Sequence, residues 1–177
     1  MKTYARQGGS SSIFINDDGL QLLPPAERDS RIAYYANHGL GYVARPPHDS
    51  AHGGFKRAGR FKKASNMNYG LRLSLRLEKH LTMLRNKEKN EPGSALEITK
   101  SRVSSLSAPN PETRSGFDSL STEEDNMALE DMALLLAIEE EFEETGRMHK
   151  PWAANGASIR IGEIVLIVDS DTIVPEV

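Results

Sequence analysis

Cysteine is absent from all 177 positions. This excludes disulfides and thiolate metal centres, so a metal partner would have to be a hard cation on oxygen ligands. No apolar run approaches the ~20 residues needed to cross a bilayer, and the first residues, Met1 to Gly9, carry no apolar signal region. The chain as written is therefore expected to be soluble and cytoplasmic, without a membrane segment. Aromatics make up only 6%. The basic stretch has just Phe55, Phe61 and Tyr69 interleaved and no recognised nucleic-acid module around it, which argues against nucleic acid as a partner. A Gly-x-Gly-x-x-Gly fingerprint is also missing, which places a dehydrogenase-type dinucleotide site last among the alternatives.

Charge is present in quantity but unevenly placed. Residues 45–87 hold eleven Lys or Arg against two acids, whereas residues 112–144 hold twelve acids against Arg114 alone. Such halves can pair with each other or with oppositely charged partners. The alternative, two separately solvated surfaces, is favoured because exposed pairs stabilise little. Glu139-Glu140-Glu141 is assigned to a solvated face on the same ground. His38, His48, His52, His80 and His149 show no metal-ligand spacing and are read as structural or solvated.

Ser11 to Asn16 reads as a short strand ending on Asp17-Asp18-Gly19. Leu23-Pro24-Pro25 opens a helix that runs to about Asn37, with Gly39 as its stop. Gly41 to Arg45 is a second strand, halted by Pro46-Pro47. Over residues 65–86 two leucine-rich stripes, Met67-Leu71-Leu75 and Leu73-Leu77-Leu81-Leu84, point to a helix, with Gly70 as its weak spot. From 86 to 120 the composition turns to Ser, Pro, Lys, Glu and Asn and reads as a disordered insertion. Ser121-Thr122-Glu123-Glu124 resembles a capping box opening a further helix that ends near Thr145-Gly146. Trp152 reads as packing. Ile164-Val165-Leu166-Ile167-Val168, almost all β-branched, reads as a strand buried on both faces. Alternation of strands and helices predicts an α/β fold with a mostly parallel sheet, flanking helices and the disordered insertion.

The residues with chemical potential fall at strand and helix ends. Asp17-Asp18 and Asp169-Ser170-Asp171 each follow a predicted strand, where open α/β sheets bind ligands. Between them lies Phe61-Lys62-Lys63-Ala64-Ser65-Asn66-Met67-Asn68, basic residues just ahead of a helix whose free N–H groups suit phosphate. Asp-Asp-Gly, Lys-Ala-Ser-Asn-Met-Asn and Asp-x-Asp, in this order, resemble the motifs of processive family 2 glycosyltransferases, the cellulose, chitin and hyaluronan synthase group. The phrases Tyr42-Val43-Ala44-Arg45-Pro46 and Ile159-Arg160-Ile161-Gly162-Glu163-Ile164 look most like the fungal branch.

The resemblance implies a partial GT-A (Rossmann-like) domain that binds a UDP-sugar and a divalent metal for inverting transfer to a polysaccharide acceptor. Residues 11–85 would form its first part, 86–120 the insertion and 121–177 its continuation. Asp17 or Asp18 would contact the nucleoside, Lys63, Asn66 and Asn68 would shape the nucleotide pocket, and Asp169 and Asp171 would hold Mg²⁺ or Mn²⁺ on the diphosphate. Complete relatives are membrane enzymes. Their catalytic base and acceptor half lie beyond the point matched by Val177, so donor binding without transfer is expected of this chain. Ser65 stands where the family motif has glycine. The alternative expectation is a non-catalytic interaction protein that uses the Ser-rich insertion and the acidic helix.

Overall fold

The computed structural model describes residues 11–57, 62–91 and 122–168. In order, the elements are β1 (Phe14–Asn16), a single 3-10 turn (Leu20–Leu22), α1 (Pro25–Asn37), β2 (Gly41–Ala44), α2 (Lys62–Asn90), α3 (Thr122–Glu144), β3 (Trp152–Ala154) and α4 (Gly156–Ile159). The chain is mixed α/β, with one three-stranded sheet in the order β1-β2-β3.

Local chemistry explains most boundaries. Pro25 opens α1 in its first turn, where a missing N–H costs nothing. The helix closes in a Schellman motif: Gly39, at φ 62°, donates to the Ala36 carbonyl and Leu40 to that of Tyr35. The same device ends α3, with Gly146 at φ 64° and the Arg147 N–H on the Phe142 carbonyl.

β2 is the central strand and all four of its residues are buried. Side chains alternate across the sheet. Val43, with Phe14 and Ala153 at its sides, joins a core with Leu73, Leu77, Leu81 and Leu84 of α2 and Ala133, Leu134, Ala137 and Ile138 of α3. Tyr42 and Ala44, with Ile15, Trp152 and Ala154, join Leu20 and Tyr35 on the other face. Helices thus cover both faces, and each fully buried leucine contributes about 1.5–3 kcal/mol. Gly70, the weak spot of α2 in sequence, is where that helix rests on β1: a Cβ there would lie 2.5 Å from Asn16 Oδ1 and 2.7 Å from Phe14 Cζ.

Four expectations need correction. The sheet is not mostly parallel: β1 and β2 are parallel, but β3 runs antiparallel to β2, Trp152 opposite Ala44 and Ala154 opposite Tyr42. Two antiparallel helices separate β2 from β3. They return the chain to the edge where β2 ends, so the next strand must run back down. Second, α2 continues to Asn90, so residues 86–90 are helical; the rest of the expected disordered insertion, 92–120, lies outside the described residues. Third, Ile164–Val168 forms no strand. Its side chains are exposed, Leu166 by 85%, because strand-forming residues make no strand without a partner ladder.

Last, the charged stretches are not separately solvated. Arg72 bonds Glu141, and Arg76 reaches Glu140 and Glu141 at 3.3 Å and Glu144 at 2.6 Å. Lys79 and His80 bond Glu140 at 3.0 and 2.7 Å, and Arg85 meets Glu130 at 3.5 Å. Glu141 is buried between α2 and α3. Among the described residues no helix is long and apolar enough to cross a membrane.

Candidate functional site

The carboxyl end of the parallel β1–β2 pair gathers three sequence motifs that are far apart in the chain. Asp17 and Asp18 leave β1, Arg45 leaves β2, and the first turns of α2 bring Ser65 and Asn66. Arg45 is the hub. Its side chain is only 1% exposed; Nε and NH2 donate to Asp18 Oδ1 and Oδ2 at 2.7 and 2.6 Å, and NH1 donates to Ser65 Oγ at 2.8 Å. A planar guanidinium forked onto a carboxylate is the strongest and most directional ion pair a protein has. Arg57 adds a second cation: it lies 3.5 Å from Asp18 Oδ2 and donates to the Asp18 carbonyl at 3.1 Å.

The two aspartates face different ways. Asp17 turns toward α1. It accepts from the Gly19 N–H at 3.1 Å, from Tyr35 Oη at 2.8 Å and from Arg31 at 3.2 Å. Burial, reinforced by the Asp17 hydrogen bond, pushes the Tyr35 phenol up to about 12, so it remains a donor to Asp17 throughout the neutral range. Arg31 is held above its ordinary value by the same carboxylate. Asp17 is therefore committed to fastening the turn to α1, while Asp18 stands beside α2.

Around Asp18 and Arg45 the polar atoms are incompletely matched within the protein. Asn66 is buried and its Nδ2 donates to the Asn16 carbonyl at 3.2 Å. Its Oδ1, Asn16 Oδ1 and Arg57 Nε are buried without a protein partner. Each such group carries a desolvation cost of about 1–3 kcal/mol. Others lie along α2 and α3, among them Tyr69 Oη, Ser74 Oγ and Glu139 Oε2, so these three add hydrogen-bonding capacity to the edge without setting it apart.

The remaining candidates are less convergent. Lys63 and Asn68 are exposed on α2. Residues 66 and 68 are turned about 200° from each other on a helix, so Asn68 cannot face the site that Asn66 faces. Asp169 and Asp171 lie outside the described residues. Among those described, no three His, Asp or Glu side chains converge as metal ligands; Asp17 and Asp18 are engaged by cationic and hydroxyl donors instead. Two surface hollows lie elsewhere: one of about 520 Å³ over Ala26, Ser30 and Tyr34, and one of about 380 Å³ beside Ser12, His38 and Ser158. Glu27 and Arg31, the latter bonded to Asp17, also line the first; neither hollow gathers the sequence motifs that meet at the sheet edge.

Sequence reasoning missed Arg45 as the residue that joins Asp18 to Ser65. The available signal was a cation placed directly after the apolar Tyr42-Val43-Ala44, where a strand end emerges from the core. Neither a family model, nor a curated protein, nor a solved structure matches the chain. Its function is therefore argued from these residues themselves.

Proposed function

We propose that the sheet edge is the donor-binding site of a family 2 glycosyltransferase, with a GT-A-like arrangement built on the β1–β2 pair, and that it takes a UDP-sugar together with a divalent metal. One observation carries this reading. The phrases that resemble the family in sequence, Asp-Asp-Gly, Tyr-Val-Ala-Arg-Pro and Lys-Ala-Ser-Asn, come together in space through Asp18, Arg45, Ser65 and Asn66. Nothing in the bare sequence requires that convergence, because 27 residues separate Asp18 from Arg45 and 20 separate Arg45 from Ser65.

On this reading Asp18, not Asp17, is the acid beside the nucleoside, since its side chain is the more exposed of the two, 25% against 10%, and stands with Arg45 and Ser65, whereas Asp17 faces Tyr35 and Arg31 of α1. Asn66 and Arg57 offer the unmatched polar atoms, and Lys63 at the first turn of α2 supplies charge for the diphosphate. Asp169 and Asp171 would hold Mg²⁺ or Mn²⁺, which neutralises the leaving diphosphate; carboxylate oxygens are the right donors for such hard ions. The polysaccharide acceptor would be met outside this donor site.

Calorimetric titration with UDP, with and without Mn²⁺, tests the proposal. Metal-dependent binding that weakens in Lys63→Ala and Asp171→Ala supports it; a cooperatively folded chain that takes up no UDP contradicts it. The interaction-protein alternative draws less support, because Glu130, Glu140, Glu141 and Glu144 of the acidic helix are already engaged by α2.

A further inference from the structure

Asn155–Gly156 is the only Asn–Gly step in the chain, and it forms the turn between β3 and α4. Of all dipeptides containing asparagine, this one rearranges most readily on its own. Glycine puts no side chain beside its nitrogen to hinder attack on the neighbouring side-chain amide.

The fold leaves little choice of residue at either position. A Cβ at Gly156 would lie 2.3 Å from the Glu130 carbonyl oxygen and 2.9 Å from the Asp131 nitrogen, so only glycine lets α4 rest on α3. Asn155 sits at φ 66° and ψ 79°, in the left-handed region that asparagine enters more readily than most side chains. It also caps α4, its Oδ1 accepting from the Ser158 N–H at 3.1 Å, a task for which asparagine is among the best residues. Turn, cap and close packing together select the step that is chemically least durable.

The same contacts hold the reaction off. Ring closure requires the Gly156 nitrogen to eclipse the Asn155 Cβ, so that Cγ comes within reach. At ψ 79° that nitrogen lies nearly opposite Cβ. Turning it would break three hydrogen bonds at once. These are Ser158 N–H to Asn155 Oδ1, Asn155 Nδ2 to the Gly39 carbonyl at 3.0 Å, and Gly156 N–H to Asp131 Oδ1 at 2.7 Å.

We propose that Asn155–Gly156 is a self-modification site, shut while this turn is formed and opened by its local unfolding. In the opened turn the Gly156 nitrogen attacks Asn155 Cγ and forms the N–Cγ bond of a five-membered succinimide. The Cγ–Nδ2 bond breaks, and ammonia leaves with the Gly156 proton. Water then adds to either ring carbonyl and opens it, giving aspartate or isoaspartate. Loss of ammonia makes the change one-way. The isoaspartate product lengthens the backbone by a methylene in the turn that seats α4. Ser158, bonded to the Gly39 carbonyl at 3.1 Å, and the fully buried Ile159 both follow that turn, so the product loosens α4 from β2. The proposal is independent of the donor-site reading.

Peptide mapping of the folded chain against the same chain in guanidinium chloride, at one temperature and neutral pH, tests it. The unfolded chain should convert Asn155, read as the mass change from amide to acid and as isoaspartate by enzymatic methylation. The folded chain should convert at least about tenfold more slowly, because opening must break several hydrogen bonds. Equal rates, or an unfolded chain in which another asparagine converts first, would overturn the proposal. Asp131→Ala frees the Gly156 N–H and should speed conversion in the folded chain by about threefold or more. Asp131→Asn keeps an accepting oxygen and should stay near the original rate. A folded Asp131→Ala chain that converts no faster than the unaltered one would contradict the role given to that contact.

Discussion

Two regions of this protein are built from the same residue types and do different things. Along α2 and α3, Arg and Lys meet Glu in a ladder that follows the helix axis, from Arg72 and Glu141 at one end to Arg85 and Glu130 at the other. At the sheet edge, one buried arginine is forked onto one aspartate, and three polar atoms around it lack protein partners. In the ladder, Arg76 reaches three acids, Glu140 takes three basic side chains and many of the side chains reach water, so the arrangement aligns two helices. The edge instead concentrates charge where strands end, with both Asp18 oxygens on one buried guanidinium. Unmatched buried polar atoms occur in both regions, Tyr69 Oη, Ser74 Oγ and Glu139 Oε2 of α2 and α3 among them, so convergence of distant motif residues at strand ends, more than surplus hydrogen-bonding capacity, distinguishes the edge from the ladder.

The sharpest way to break the comparison is Arg45→Met. It leaves Asp18 and Ser65 without their buried partner and should lower stability by about 3–5 kcal/mol, read as a shift of the urea midpoint. A change within ~1 kcal/mol would show that the edge is no tighter than a surface pair. Glu141→Gln strikes the ladder at its most buried acid, next to Arg72 and Arg76. There the loss should be about 1–3 kcal/mol, since both arginines keep solvent or other acids. Lys79→Ala removes an exposed partner of Glu140 and should change stability by less than about 1 kcal/mol, with the thermal midpoint nearly unmoved.

Acid sharpens the contrast further, and this is the smallest effect near neutrality. Burial pushes Glu140 up, but Lys79, His80 and Arg76 outweigh it and hold it below the ordinary carboxylate range. Glu144 is lowered chiefly by its hydrogen bond from Arg76. A depressed folded-state pKa gives stability that is present above the unfolded value and lost as pH falls through the folded one. The thermal midpoint should therefore hold down to about pH 5 and decline below about pH 4.5. Asp131 acts oppositely: burial raises it, against the Gly156 N–H that lowers it, so its protonation softens the decline. A midpoint that already falls between pH 7 and 6 would place the sensitive group elsewhere.

Where structure is dictated locally, the sequence was legible. Pro25 and Gly39 bound α1, the Leu73-Leu77-Leu81-Leu84 stripe declares the buried side of α2, and Thr145-Gly146 ends α3 as its composition suggests. What depended on distant partners was not. Trp152–Ala154 is three residues long and is a strand only because β2 offers it a ladder. Ile164–Val168 has stronger strand composition and forms none. The pairing of the charged halves required the antiparallel register of α2 and α3, which sets Arg72 against Glu141 and Arg85 against Glu130. At the site, Asp18 and Asn66 were visible as motif residues, but the role of Arg45 in joining Asp18 to Ser65 was not, since it depends on where β2 and α2 meet in space, and Asn68 fell on the wrong side of the helix.

Amide exchange recorded with and without saturating UDP and Mn²⁺ tests the central claim most directly, because it reads both regions at once. The account predicts added protection at Asp17 to Gly19 and Lys63 to Asn66, with the α3 amides along the ladder unchanged. Protection confined to the α2–α3 ladder, or none anywhere in a cooperatively folded chain, would contradict it.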